Sequence, residues 1–191
     1  MISTKIKLGL AVIAVGVFFS GQSFATDTVD CPVGLVSGLS LDDEFGAGAA
    51  EATRCIKKRK KIKVVYQVNK QCKNAACTKP YAIGNMTNAI NDYEITSGIA
   101  RGDYEIVAVV HSGGFSLVLN NDAANPHAKS NPFQSKVEDL MAKGVQIYFC
   151  QNTARSKGVV LDQMIPGIKF VTAGVTAIAD FQSIDFSYVQ P

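Results

Sequence analysis

The apolar positions of the chain from Ile62 onward fall into five short runs, separated by segments in which apolar residues recur at helical spacing. The runs have the length of strands and are rich in β-branched and aromatic residues; they span 62–68, 104–110, 144–150, 168–171 and 186–189. The intervening spacing predicts helices over 83–94, 133–141, 152–158 and 175–182, and a shorter helix over 115–119. Strands that alternate with helices in this way predict an α/β domain with a parallel sheet covered on both faces.

A different pattern marks the start of the chain. Lys5 and Lys7 precede an apolar stretch over 8–19, and Ser23-Phe24-Ala25 supplies the small residues of a cleavage site. This order predicts a secretory signal peptide cut after Ala25, and therefore a periplasmic or secreted protein. The apolar stretch is too short to span a bilayer, and no later run approaches the roughly 18 apolar residues that a span requires. We therefore expect no membrane span after cleavage.

The segment over 26–61 shows no clear period, and its glycines and Asp42-Asp43-Glu44 predict an irregular extension with a solvated acidic turn. The extension ends in a basic run over 54–63. The formal charge is +3 for the whole chain, and +1 without Lys5 and Lys7. Because this balance is near neutral, we expect no nucleic-acid partner and interpret the basic run as a solvated lead-in to the first strand. The predicted organisation is a leader over 1–25, the extension over 26–61 and one α/β domain over 62–191.

Five cysteines follow the predicted cleavage site: Cys31, Cys55, Cys72, Cys77 and Cys150. An oxidising compartment permits disulfides, and an odd number leaves at least one thiol without a partner in the chain. The economical pairing joins Cys72 to Cys77 in one loop and Cys31 to Cys55 in the extension, which leaves Cys150 free. The sequence does not fix this choice. A zinc site at Cys72 and Cys77 is a weaker alternative, because no second pair at metal spacing accompanies them. Since no phosphate-binding glycine motif is present either, we expect neither a metal nor a cofactor.

Cys150 ends the third apolar run and comes just before the basic helix predicted over 152–158. Sites in open α/β sheets form at the carboxyl ends of the strands. The positive end of a helix beside a thiol favours the thiolate, which is the nucleophilic form. Asn152 or Thr153 can cap this helix, and Arg155 adds positive potential one turn further on. The alternative is an inert core cysteine, since free cysteines are often buried.

His111 ends the second strand, and we expect it at the same edge of the sheet as Cys150. An imidazole there suits a general acid–base or anion-holding role; a hydrogen-bonded structural histidine is an equal alternative. Gly113 and Gly114 follow, and their backbone N–H groups are candidates for binding an anionic sulfur species. A Gly-Gly pair is also common in ordinary turns.

Three stretches of the chain carry a resemblance to a known family. They are 107–114 (VAVVHSGG), 144–145 with 150–153 (GV and CQNT), and 165–167 (IPG) followed by 174–175 (GV). In this order they resemble the DsrE/DsrF-like family of small α/β sulfur-relay proteins, over roughly 62–191. The resemblance implies a three-layer α/β/α sandwich with a mostly parallel five-stranded sheet, assembled into homo-trimers or hexamers. It also implies that Cys150 carries sulfane sulfur as a persulfide. The chain departs from the well-understood relay proteins in its predicted export and in its four further cysteines.

These inferences support three functional hypotheses. The first is a periplasmic sulfur carrier with sulfurtransferase-like activity, if it turns over at all, whose partners are sulfur donors and acceptors. The second is a non-catalytic oligomeric module that binds a small ligand in a pocket at the same carboxyl edge. A third and weaker hypothesis is thiol–disulfide exchange by Cys72 and Cys77, although redox motifs of that kind have two intervening residues, not four.

Overall fold

A computed structural model describes residues 34–53, 60–122 and 131–191. Its centre is a five-stranded sheet made of β1 (Ile62–Val68), β2 (Tyr104–Val110), β3 (Gln146–Cys150), β4 (Lys169–Val171) and β5 (Ser187–Val189). The strand order is β4-β3-β2-β1-β5, and every neighbouring pair is parallel. All five strands were predicted from the apolar runs. β1 and β2 have the predicted bounds, while the other three strands begin one or two residues later.

The described α-helices are α1 (Leu41–Phe45), α2 (Ala49–Ala52), α3 (Ile83–Asn91), α4 (Gln134–Ala142), α5 (Gln151–Lys157) and α6 (Gly174–Ser183). A π-helical turn, Asp92–Thr96, continues α3 two residues beyond the predicted end at 94. The short helix expected over 115–119 is a 3-10 helix, Ser112–Val118, which begins directly after His111. Two further 3-10 turns are Arg101–Asp103 and Leu161–Gln163. The predicted helices of the domain are therefore present.

The direction of chain crossover decides which helices cover which face of the sheet. From β1 to β4 the chain steps along the sheet in one direction, and right-handed crossovers then place α3, α4 and α5 on one face. These helices share a core with strand residues such as Val64, Ile106 and Ile147. The step from β4 back to β5 runs the opposite way and places α6 on the other face, where Ala177 and Ile178 pack on Val65, Val107 and Val109. The expected three-layer α/β/α sandwich is confirmed.

The described part of the extension contains two short helical turns, α1 and α2, which the sequence analysis did not predict. Ser40 begins α1, and its hydroxyl oxygen accepts a hydrogen bond from the Asp43 N–H at 3.1 Å. Helices of one turn bury too few apolar residues to produce a 3.6-residue period, so the pattern did not reveal them. The predicted leader, Cys31, Cys55 and residues 54–59 of the basic run lie outside the described residues.

The described ranges contain no candidate for a membrane-spanning helix. None of the helices there combines the length and the apolar character needed to cross a bilayer.

Candidate functional site

The strand register brings Cys150 and His111 to the same edge of the sheet. Val110, the last residue of β2, pairs with Phe149, the penultimate residue of β3. His111 and Cys150 are the next residues on these two adjacent strands, so both lie at the carboxyl edge, as expected. On its other side Cys150 pairs with Val171 of β4. The topology therefore places Cys150 on an interior strand at this edge.

Cys150 is also the residue from which α5 starts. The helix begins at Gln151, so the cap position belongs to Cys150, and the prediction that Asn152 or Thr153 caps the helix was wrong. The chain turns into the helix directly after the strand, without the intervening residues that the prediction assumed. As a result, the N–H groups of Asn152 and Thr153 lie in the first turn, where helical N–H groups have no partner within the helix.

Four hydrogen-bond donors are positioned to stabilise the Cys150 thiolate. They are the backbone N–H and the hydroxyl of Thr153, the backbone N–H of Gly174 and the backbone N–H of Asn152. Cys150 is only 5% exposed, and burial raises the pKa of its thiol because a charged sulfur loses hydration. The hydrogen bonds outweigh burial, and the net pKa of Cys150 is lowered from its ordinary value. The site therefore favours the nucleophilic form of the sulfur.

Thr153 joins the two strand ends. Its hydroxyl oxygen accepts a hydrogen bond from the Ser112 N–H at 3.0 Å, while the hydroxyl proton is available to the Cys150 sulfur. Ser112 has a positive φ of 50°, a left-handed conformation that non-glycine residues seldom adopt. This turn directs the Ser112 N–H from the end of β2 toward α5. The side chain of Thr153 is buried, so the link is shielded from water.

His111 is 9% exposed, and both of its ring nitrogens have protein partners. Nε2 lies 2.8 Å from the Gln67 side-chain nitrogen, and Nδ1 lies 2.9 Å from the Ser112 hydroxyl oxygen. Because the Gln67 amide nitrogen can only donate, Nε2 is the acceptor and Nδ1 carries the ring proton. Burial lowers the pKa of His111, in agreement with a neutral ring. These contacts fix one tautomer of His111.

Gln67 and Tyr188 complete this arrangement, and the sequence analysis missed both. The Tyr188 hydroxyl contacts Gln67 Oε1 in a short hydrogen bond and lies 3.2 Å from Gln190 Oε1. With its oxygen facing Tyr188, the Gln67 amide presents its nitrogen to His111. Gln67 could have been identified from the sequence, because it is a polar residue near the end of an apolar strand. Tyr188 could not, because only the fold shows that β5 lies beside β1.

Gly174, the first residue of α6, lies against both candidate residues. Its backbone N–H is one of the groups that lower the pKa of the Cys150 thiol. A Cβ atom at this position would lie 3.0 Å from His111 Cβ and 3.1 Å from His111 Cγ. The absence of a side chain therefore lets the start of α6 approach the imidazole closely and reach the sulfur. Gly174 appeared among the stretches that carry the family resemblance, but no role was predicted for it.

Gly113 and Gly114 pack tightly against the end of β1. A Cβ on Gly114 would lie 2.4 Å from the Val68 carbonyl oxygen, and one on Gly113 would lie 2.9 Å from that of Asn69. The Gly114 N–H donates to the His111 carbonyl at 3.0 Å, so it is already used within the turn. Close packing against β1 therefore explains why both positions are glycine. Anion binding by their N–H groups stays a prediction.

Arg155 is exposed on α5, and its guanidinium donates to the Asn152 side-chain oxygen at 3.1 Å. Two residues after Arg155, the Lys157 ammonium lies 5.2 Å from the centre of the Phe115 ring. Both cations lie on the helix that begins at Cys150. They place positive charge near the site, but neither contributes to the lowered pKa of Cys150.

The cysteines follow the predicted pairing as far as the structure describes them. Cys72 and Cys77 form a disulfide with their Cα atoms 4.9 Å apart, and Cys150 is a free thiol. The zinc alternative for Cys72 and Cys77 is thereby replaced by a covalent bridge. Across the described residues, no three His, Cys, Asp or Glu side chains are grouped so that they could hold a metal ion.

Two solved structures are similar to this chain over most of its length. A protein of unknown function from Methanobacterium thermoautotrophicum, MTH1491, has the same fold with a TM-score of 0.54 and 23% identity, covering 68% of this chain and 99% of that one. The ychN protein from E. coli is similar with a TM-score of 0.47 and 15% identity, covering 68% of this chain and 97% of its own. No curated protein matches the sequence.

The model of the DsrE/DsrF-like family matches residues 62–191. The matched range begins at the first residue of β1 and includes the whole sheet, α3 to α6 and the carboxyl-edge site. It leaves out α1 and α2. Because the match covers more than half of the chain, the protein belongs to the DsrE/DsrF-like family, which is associated with sulfur relay.

Proposed function

We propose that this protein is a periplasmic sulfur carrier that holds sulfane sulfur as a persulfide on Cys150. In the loading step, the Cys150 thiolate attacks the terminal sulfur of a donor persulfide. A new S–S bond forms at Cys150, the S–S bond of the donor breaks, and the donor leaves as a thiolate. In the unloading step, an acceptor thiolate attacks the outer sulfur and regenerates the Cys150 thiolate. Electrons balance in both steps, so neither a metal nor an organic cofactor is needed.

The observation that carries this proposal is an unbridged thiol at the start of α5, whose pKa is lowered by the donor groups of Thr153, Gly174 and Asn152. A structural cysteine in an apolar core has no need of such donors, and burial alone leaves it protonated and inert. Here the donors of Thr153, Gly174 and Asn152 lower the pKa of Cys150 despite its burial. The same donors can stabilise the thiolate both as the attacking group and as the leaving group.

Burial of Cys150 fits a carrier that protects its cargo. The outer sulfur of a persulfide lies one S–S bond, about 2 Å, beyond Sγ, so transfer requires only that this terminal atom reach an acceptor. Val175, which follows Gly174 in α6, is 69% exposed. It offers apolar surface beside the site to a docking donor or acceptor.

His111 is the second residue of the proposed site. Its contact with Gly174 and its hydrogen bond to the Ser112 hydroxyl let it hold the groups that surround the sulfur. A direct acid–base role requires one ring nitrogen to leave Gln67 or Ser112. We propose that Gly113, Gly114 and Arg155 favour anionic sulfur species near this edge, and that the protein acts as a homo-oligomer outside the cytoplasm.

A transfer assay tests the proposal. The purified protein is loaded with isotopically labelled polysulfide, freed of excess reagent and mixed with a small thiol acceptor, and the label on the acceptor is measured. We expect transfer by the native protein and none by Cys150→Ser, because the serine oxygen cannot form a persulfide. Ser183→Ala, at the opposite end of α6 from Gly174, is the matched control and should transfer normally. Equal transfer by the Cys150→Ser protein would refute the proposal.

A further inference from the structure

A basic groove lies between α3 and α4, outside the carboxyl-edge site. It has a volume of about 510 Å³ and is lined by four lysines from two parts of the chain; they are Lys73, Lys79, Lys136 and Lys143. Asp139 is the only acidic residue in its lining. We call this surface the lysine groove.

Within the described ranges, none of the four ammonium groups of the lysine groove forms an ion pair. The Lys136 ammonium lies 5.9 Å from the centre of the Phe133 ring, and Asp139 is the one carboxylate in the described lining. Positive charge collected in a concave surface raises the local concentration of anions. The lysine groove is therefore electrostatically suited to an acidic ligand.

The frame of the groove holds these lysines in place. Lys73 lies inside the loop closed by the Cys72–Cys77 disulfide, and its N–H donates to the Lys79 carbonyl at 2.8 Å. Lys136 and Lys143 are seven residues apart, two turns of helix, and so project from one side of α4 and its C-terminal cap. The apolar lining comes from Pro80, Ile83 and Leu140. An occupant of this groove should therefore combine carboxylates with exposed apolar side chains.

The chain itself contains a segment with this combination. In residues 36–45, which we call the acidic segment, Asp42, Asp43 and Glu44 are consecutive and exposed. The same segment exposes three large apolar side chains; Val36 is 60%, Leu39 51% and Phe45 66% exposed. None of the residues that line the lysine groove comes from 34–53. The acidic segment therefore does not occupy the groove of its own copy.

We propose that the acidic segment of one copy docks in the lysine groove of a second copy. The contact pairs three carboxylates with four ammonium groups and covers apolar side chains that are otherwise in water. One short segment buries less than the roughly 1,000 Å² expected of a stable interface. The contact should therefore recur in a closed assembly in which each copy both gives a segment and receives one. This gives a role to the part of the chain that precedes the family domain, and it does not depend on persulfide chemistry.

Charge reversal tests this contact, with the assembly constant measured by sedimentation over a range of protein concentrations. Lys136→Glu/Lys143→Glu should weaken self-association by at least about tenfold, because like charges then face each other. Lys60→Glu/Lys169→Glu changes the net charge equally at exposed positions outside the groove, and should assemble as the native protein does. Raising the salt concentration should also weaken the native assembly, since exposed charges are screened.

A mixing experiment identifies the occupant. Asp43→Lys/Glu44→Lys should also assemble poorly alone. Mixed with Lys136→Glu/Lys143→Glu, it should restore assembly, because each groove then meets a segment of opposite charge. Circular dichroism checks that both variants are folded. A native protein that stays monomeric at every concentration, groove variants that assemble normally, or a mixture that fails to reassociate would each overturn the proposal.

Discussion

At the residue level, two opposing effects set the ionisation of Cys150. Burial raises the pKa of the thiol, and hydrogen bonds led by those of Thr153 lower it by a larger amount. The depressed pKa means that the ionised form of Cys150 is more stable in the folded protein than in the unfolded chain. The resulting stabilisation is present above the unfolded pKa, about 8.5, and is lost as the pH falls through the folded value. Reactivity and stability therefore respond to the same donors.

Thr153→Val removes the hydroxyl donor while keeping the shape of the side chain. A hydrogen bond to a charged group is worth about 1.5–3 kcal/mol, so the alkylation rate of Cys150 at pH 7 should fall by roughly ten- to hundredfold. The midpoint of the rate against pH should move upward. The measurement is the rate of iodoacetamide labelling of Cys150 from pH 5 to 10.

The matched control is Thr176→Val, whose hydroxyl donates to the Ala173 carbonyl in the first turn of α6. It makes the same chemical change close to the site without touching the sulfur, so its pH profile should be native. A Thr153→Val profile that coincides with the native one would show that the hydroxyl has no effect on the thiolate.

Gly174→Ala tests the close contact between α6 and His111. The new methyl group would lie 3.0–3.1 Å from atoms of His111, so the helix start or the imidazole must move. We expect a loss of about 1–3 kcal/mol in the free energy of unfolding, together with slower alkylation of Cys150. Urea denaturation and labelling rates measure the two effects.

Gly84→Ala is the corresponding control inside α3, where a Cβ atom meets nothing within 4 Å. It should raise the free energy of unfolding by up to about 1 kcal/mol, because alanine is the better helix former. If Gly174→Ala behaved in the same way, the close approach would not constrain the site.

At the level of helices and strands, the apolar pattern predicted most of the domain. The runs over 62–68 and 104–110 match β1 and β2 because these strands are apolar on both faces, as parallel interior strands must be. The helix after Cys150 was placed one residue late, since the strand passes into α5 without a separate capping residue. Periodicity had no means of detecting α1 and α2, which are too short to show a period.

The site was only partly predictable for a physical reason. Cys150 and His111 could be found because each ends an apolar run. Their neighbours Gln67, Tyr188 and Gly174 come from β1, β5 and the start of α6, and meet them only through the strand order and the return of the chain across the sheet. These neighbours are determined by the order of the strands in the sheet, and a local sequence pattern does not reveal that order.

At the level of the whole molecule, His111 links stability to pH. Burial lowers its pKa in the folded state, so the unfolded state binds a proton more readily below the unfolded pKa of about 6.5. The free energy of unfolding should therefore fall as the pH drops through 6.5 toward the folded pKa of His111. The slope from this one group cannot exceed about 1.4 kcal/mol per pH unit.

His111→Asn should flatten that part of the stability profile, measured by urea denaturation at several pH values. His127→Gln, which removes the other histidine of the chain, should leave the slope in place. An unchanged slope in the His111→Asn variant would mean that another group carries the proton.

The most direct test of the account is the mass of the peptide that contains Cys150 after brief exposure of the folded protein to polysulfide. We predict a gain of one sulfur atom on this peptide, reversed by a reducing agent and absent after prior alkylation of Cys150. The disulfide-bonded Cys72–Cys77 peptide from the same digest should keep its mass. If Cys150 stays unmodified while the protein remains folded, the sulfur-carrier account is contradicted.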